Sequence, residues 1–143
     1  MYIIGVPLLV IPFAIYNIVE FLMPGNAPGT FWMHVVMRLR LASGAEWALS
    51  AGDLLVAVSL LILFAELVKA TRLSSRSIID HLLSTVLFVI MLIEFILVKE
   101  AATSTFFLLM MIAFVDVIGG FSVSIRSAQR DFTVEGGNSM NRM

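Results

Sequence analysis

The chain has 143 residues, 60% of them hydrophobic and only 13% charged, with a mean hydropathy of +1.03. Soluble domains run about 45–50% apolar and about 25% charged, so this is the composition of a polytopic membrane protein. A formal net charge of −1 excludes general affinity for nucleic acid or anionic lipid, and the absence of cysteine excludes disulfides, thiolate metal sites and thiol nucleophiles.

The first apolar run predicts a helix over about residues 2–23. No basic residue precedes it and no A-x-A-like site follows, so it reads as a retained helix and not as a signal peptide. Pro7 and Pro12 are expected to kink its first half. Tyr16, Asn17 and Glu20 share one face towards its far end. Pro24, Gly25, Asn26, Pro28 and Gly29 stop it.

Residues 30–50 form the long connection. From Met33 to Leu41 the odd positions are all apolar, while His34, Arg38 and Arg40 fall on even ones. A period of two is a strand signal. With Ala42-Ser43-Gly44 as the turn and Glu46-Trp47-Ala48-Leu49-Ser50 as the return, the segment predicts a short β-hairpin on the membrane surface. Trp32 and Trp47 are then expected at headgroup level; an interfacial amphipathic helix is the alternative.

A second helix is expected over about 48–68, with Asp53 early, Ser59 central and Glu66 late. Lys69, Arg72 and Arg76 mark the following aqueous loop. Ser77-Ile78-Ile79-Asp80 has the form of a capping box and is expected to open the third helix, about 78–98, which carries Glu94 one turn from its end. Lys99 to Thr105 turn the chain into the fourth helix, about 106–126. Residues 1–130 thus form a single transmembrane domain, and 131–143 read as a disordered tail.

The fourth run, FFLLMMIAFVDVIGGFSVSIR, is long enough to cross a bilayer, about 20 residues at roughly 1.5 Å each. Asp116 lies ten residues from either end, near the midplane, where inserting an aspartate costs roughly 2.5–3.5 kcal/mol. Its carboxyl must therefore be protonated, paired, or turned to protein or water. Ser59 and Thr85 are the candidate hydrogen-bond acceptors on neighbouring helices.

Four spans put both termini on one side together with Lys69, Arg72, Arg76, Arg126, Arg130 and Arg142; Arg38, Arg40 and Lys99 lie on the other. Six basic residues against three favour cytoplasmic termini and an external hairpin.

The stretches SGAEW followed by GD (Ser43 to Asp53), IIDHLLS (Ile78 to Ser84) and FVDVIGGFSVSIRSAQRD (Phe114 to Asp131) resemble a group of uncharacterised bacterial four-helix inner-membrane proteins. The resemblance touches three of the four helices and is most specific in the last stretch. It implies a bacterial inner-membrane location and no particular activity.

Three features carry chemistry. Glu20, Asp53 and Glu94 lie at similar depth near the external ends of their helices and are expected either to form a carboxylate ring for cations or protons, with Asp116 deeper, or simply to reach interfacial water. Glu66, Asp80, His81 and Arg126, with Lys69, lie near the cytoplasmic boundary, where ion pairs between helices are expected and His81 can titrate near neutral pH. On the third helix Asp80, Ser84 and Glu94 share a face, with His81 about 100° away. Gly120, Ser124 and Ala128 form a small-xxx-small series for close helix packing, about 40° around the helix from Asp116.

His34 and His81 fall on opposite faces of the membrane, so no metal site or other cofactor is expected. Catalytic motifs such as G-x-S-x-G, HExxH and Gly-rich phosphate loops are missing from the sequence. The sequence therefore predicts an all-α, four-helix membrane bundle with a short external hairpin. Its expected role is that of a non-enzymatic accessory, assembly or interaction subunit, working in the lipid bilayer as a homo-oligomer or within a larger complex. An oligomeric proton or cation conductor using the intramembrane carboxylates is the alternative.

Overall fold

The computed structural model describes the backbone of residues 5–23, 27–71 and 76–140, and the side chains of these except 76, 77, 123, 124 and 126–140. In chain order the elements are α1 (Val10–Leu22), β1 (Val35–Arg40), β2 (Glu46–Ser50), α2 (Ala51–Ala70), α3 (Arg76–Leu97) and α4 (Ser104–Met140), with 3-10 turns at Phe31–Met33 and Lys99–Ala101. Three helices are long and apolar enough to cross a membrane: Ala51–Ala70, Ile78–Leu97 and Ser104–Ser122.

The first helix departs from expectation. It holds 13 residues, about 20 Å at 1.5 Å per residue, which is short of a hydrocarbon core of about 30 Å. The prolines explain the shortfall. Pro12 is the third helical residue, a first-turn position where its missing N–H costs nothing, but its ring obstructs helix continuing upstream through residue 8. Residues 5–9 are therefore not part of a kinked helix, and residues 1–4 of the expected span lie outside the described residues. The chain passes through Gly5 at φ +105, a left-handed conformation that glycine adopts freely, and then through a turn.

Residues 35–50 form the antiparallel hairpin. Arg40 pairs with Glu46, Leu39 with Trp47, Arg38 with Ala48 and Met37 with Leu49, and the register slips at Val36 before Val35 meets Ser50. Gly44, at φ +86, makes the turn, closed by Leu41 N–H to Ala45 O at 2.9 Å. Alternation puts Met37, Leu39, Trp47 and Leu49 on one face and Arg38, Arg40, Ala48 and Glu46 on the other. No helix forms here, so the amphipathic-helix alternative is discarded. Trp47 is half exposed, but Trp32 is buried in the core, stacked on Tyr16 with centroids 5.1 Å apart. The headgroup position expected for Trp32 is thus corrected: its indole completes an aromatic core instead.

The hairpin runs directly into α2, joined at its base by Ala51 N–H to His34 O. The capping box lies here, where Asp53 N–H donates to Ser50 Oγ and Ser50 N–H donates to Asp53 Oδ2, both at 3.1 Å. The backbone of α3 is already helical at Arg76, and the Ser77 side chain, on which the capping box expected there depends, lies outside the described residues. Thr103 starts α4 by accepting the Phe106 N–H at 3.1 Å.

The fourth helix is the centre of the bundle, packed against both α2 and α3. Of its apolar window 44% is buried, against 28% for α2 and 17% for α3. Phe106, Leu109, Met110, Ala113 and Val117 supply its core side at helical spacing. Gly119 and Gly120 let it fit between its neighbours. A Cβ on Gly119 would come within 2.4 Å of Leu67 on α2, and one on Gly120 within 2.3 Å of His81 on α3. Beyond Ser122 the backbone stays helical to Met140, through most of the stretch expected to be a disordered tail. Extending a formed helix adds one hydrogen bond per residue fixed, and a polar sequence does not forbid that. Residues 141–143 lie outside the described residues.

Candidate functional site

At the end of the bundle away from the hairpin, polar side chains from α2, α3 and α4 meet beneath the segment that precedes α1. Glu66 belongs to the buried stripe of α2 that also carries Gly52, Leu55, Ser59 and Leu63. Its side chain is only 6% exposed, and Oε1 accepts the N–H of Leu8. Leu8 lies two residues ahead of the first residue of α1, so the carboxyl faces the free N–H groups and positive dipole end of that helix. The broken first helix thereby hands its unsatisfied backbone to an acid on another helix, as irregular backbone within a bundle requires.

Lys69, one turn further along α2, stands between two carboxylates: Nζ is 3.9 Å from Glu66 Oε2 and 3.7 Å from Asp80 Oδ2 on α3. Both are ion-pair distances too long for direct hydrogen bonds. Asp116 of α4 is 6% exposed. Ser84 of α3 faces its carboxyl, and His81 and Lys69 lie close enough to act on it electrostatically. His81 is seated by Gly120 and packed edge-on against Phe121, ring centroids 4.0 Å apart. Within this cluster Lys69 Nζ, Asp80 Oδ1, both nitrogens of His81 and Asp116 Oδ2 are buried without a hydrogen-bond partner. Three carboxyls, an ammonium and an imidazole can hold, share and pass protons. Among the described residues no three His, Asp or Glu side chains are placed to hold a metal ion.

The other predicted acids are held apart by partners of their own. Glu20 accepts from Gly29 N–H at 2.7 Å and Trp32 Nε1–H at 3.0 Å, pinning the turn that leads to the hairpin. Glu94 accepts from Asn17 Nδ2 at 3.4 Å. Asp53 is spent on the cap of α2. The carboxylate ring expected from Glu20, Asp53 and Glu94 is therefore corrected to three local contacts, and Asp116 lies with Glu66 and His81 instead. Its expected partners are corrected as well. Ser59 Oγ donates back to Leu55 O at 2.6 Å and Thr85 Oγ1 to His81 O at 2.9 Å, which is how isolated hydroxyls in apolar helices satisfy themselves. Ser84 takes their place.

Gly120 packs within the chain, against α3. The side chains of Ser124, Arg126 and Ala128 lie outside the described residues. The hairpin end of the bundle is a structural counterpart to the cluster. Tyr16, fully buried, donates its hydroxyl to Glu100 O at 2.8 Å and lies 2.6 Å from Thr103 Oγ1, with Trp32 and Phe106 on its ring. A groove of about 260 Å³ opens between α2 and α4 at that end, lined by Ser50, Asp53, Val56, Leu60, Thr105 and Leu108. Its one charged group is already engaged in the helix cap.

Sequence reasoning missed the role of residues 5–9 and of Ser84. The signal for the first lay in Pro7 and Pro12, which forbid a full span and so demand an acceptor-bearing neighbour. Ser84 carried none, because a serine one turn from a histidine is common on any helix. Comparison with protein-family models, with curated proteins and with solved structures gives no match for this chain.

Proposed function

We propose that this protein is a non-enzymatic accessory or assembly subunit of a bacterial cytoplasmic membrane, with both termini cytoplasmic and the hairpin outside. It works in the bilayer as a homo-oligomer or as part of a larger complex. The observation that supports this reading most is that Glu20, Glu94, Asp53 and Glu66 each close on a partner within the chain. Acids engaged in this way hold a fold together and do not line a path for ions. The hairpin adds a second support, since a two-stranded sheet leaves the outer backbone groups of both strands unpaired, open to extension by a strand of a partner.

Photo-crosslinking in the native membrane tests the reading. A crosslinker at Val36 or Trp47 is expected to capture a discrete protein species, whereas one at Leu61 or Phe64, on the most exposed apolar face of α2, captures lipid. Only diffuse lipid adducts from the hairpin would remove the assembly role. The conducting alternative is judged in vesicles. Proton or cation flux through the wild type that vanishes in Asp116→Asn would replace the assembly reading, and no flux from either protein retains it.

A further inference from the structure

In the cluster beneath the first helix, acids outnumber bases among the described residues. Among the described residues, Glu66, Asp80 and Asp116 contribute three carboxyls and Lys69 one ammonium. Fully ionised, they would carry a net charge of −2. Each uncompensated ion held away from water costs several kcal/mol, and Glu66 and Asp116 are almost completely enclosed. Bound protons relieve that cost. The atoms that would carry or exchange them are the buried, unpartnered ones: Asp116 Oδ2, Asp80 Oδ1 and both nitrogens of His81.

We propose that Glu66, Lys69, Asp80, His81 and Asp116 form a proton-binding site, entered from the Asp80–Lys69 side and closed beyond Asp116. The gradient of exposure gives the direction. The side chains of Lys69 and Asp80 are 30% and 22% exposed, whereas Glu66 is 6%, and beyond Asp116 the interior is filled by Ala113, Met110, Leu109 and Phe106. His81 links the two zones. A hydronium ion at the open side gives its proton to one ring nitrogen and leaves as water, and the imidazolium so formed acts electrostatically on the Asp116 carboxylate.

Among the described residues, the charged groups of the cluster that His81 joins are Glu66 and Lys69 on α2, Asp80 on α3 and Asp116 on α4. Gly120 is part of the device, since a side chain there would drive the imidazole out of the cluster. This inference is independent of the assembly role, because a site closed at one end binds protons without conducting them.

Infrared difference spectroscopy on the full chain in neutral phospholipid vesicles tests it. At pH 7 the wild type is expected to show the C=O stretch of a protonated carboxyl, lost in Asp116→Asn and retained in Asp53→Asn. Ser84→Ala, which keeps every charge, should shift the band without abolishing it and serves if Asp116→Asn does not fold. Absence of any protonated carboxyl band at pH 7 in folded wild type would overturn the proposal. Flux across the vesicles would overturn the closed end.

Discussion

Replacing Gly120 by alanine probes the seat of His81 with a change of sign. The new Cβ would stand 2.3 Å from Nδ1, 3.1 Å from Cε1 and 3.3 Å from Cγ, more than about 1 Å inside the ~3.5 Å optimum for the closest pair. The ring cannot simply slide, because Phe121 lies against it. Forced overpacking of this kind costs about 1–3 kcal/mol. Alanine also returns about 0.5–1 kcal/mol over glycine within a helix, so the net loss in the wild-type background is about 0–2.5 kcal/mol. In a His81→Ala background the obstruction is gone and only the helix gain remains. Gly120→Ala should then stabilise by about 0.5–1 kcal/mol. The four proteins compared by denaturant titration in mixed micelles should give a coupling of about 1–3 kcal/mol, at the upper end for residues in contact. Equal effects of Gly120→Ala in both backgrounds would refute the claim that this glycine exists to admit the imidazole.

Tyr16→Phe keeps the buried ring but leaves Glu100 O and Thr103 Oγ1 without its hydroxyl, and should cost about 2–3 kcal/mol in the same titration. A loss below about 0.5 kcal/mol would mean the hydroxyl is idle. Asp116→Leu should weaken helix packing by about 0.6–2 kcal/mol, the range for interhelical hydrogen bonds in membranes, with Asp116→Asn nearer wild type because an amide can still donate. Ser50→Ala removes one half of the capping box and should destabilise by about 1 kcal/mol. Amide exchange should quicken at Asp53, whose N–H loses its acceptor, and unchanged exchange there would contradict the cap.

Some of this architecture was legible because it depends on local pattern alone. Runs of about 20 apolar residues must be helical in lipid, whatever they pack against, and α2, α3 and the apolar part of α4 lie within a few residues of where composition put them. The hairpin was equally readable, since the apolar odd positions from Met33 to Leu41 favour a side-chain period of two, interrupted only at Val36 where the register slips, and Ser43-Gly44 supplies the turn. Pro7 and Pro12 were legible only as a disturbance. The group that satisfies the backbone they free was not legible: Glu66 receives the Leu8 N–H from 58 residues away.

The site belongs to tertiary structure for the same reason. Depth along each helix was readable, so Glu20, Asp53 and Glu94 shared a level in the sequence, but rotation about each axis was not. That rotation is set by how closely neighbouring helices approach, through Gly52, Gly119 and Gly120. It turns Glu20 to Trp32, Glu94 to Asn17, and Asp116 to His81 and Ser84. Sequence alone determined that these polar groups must be satisfied inside an apolar bundle; only the packing of α4 between α2 and α3 decided which group satisfies which.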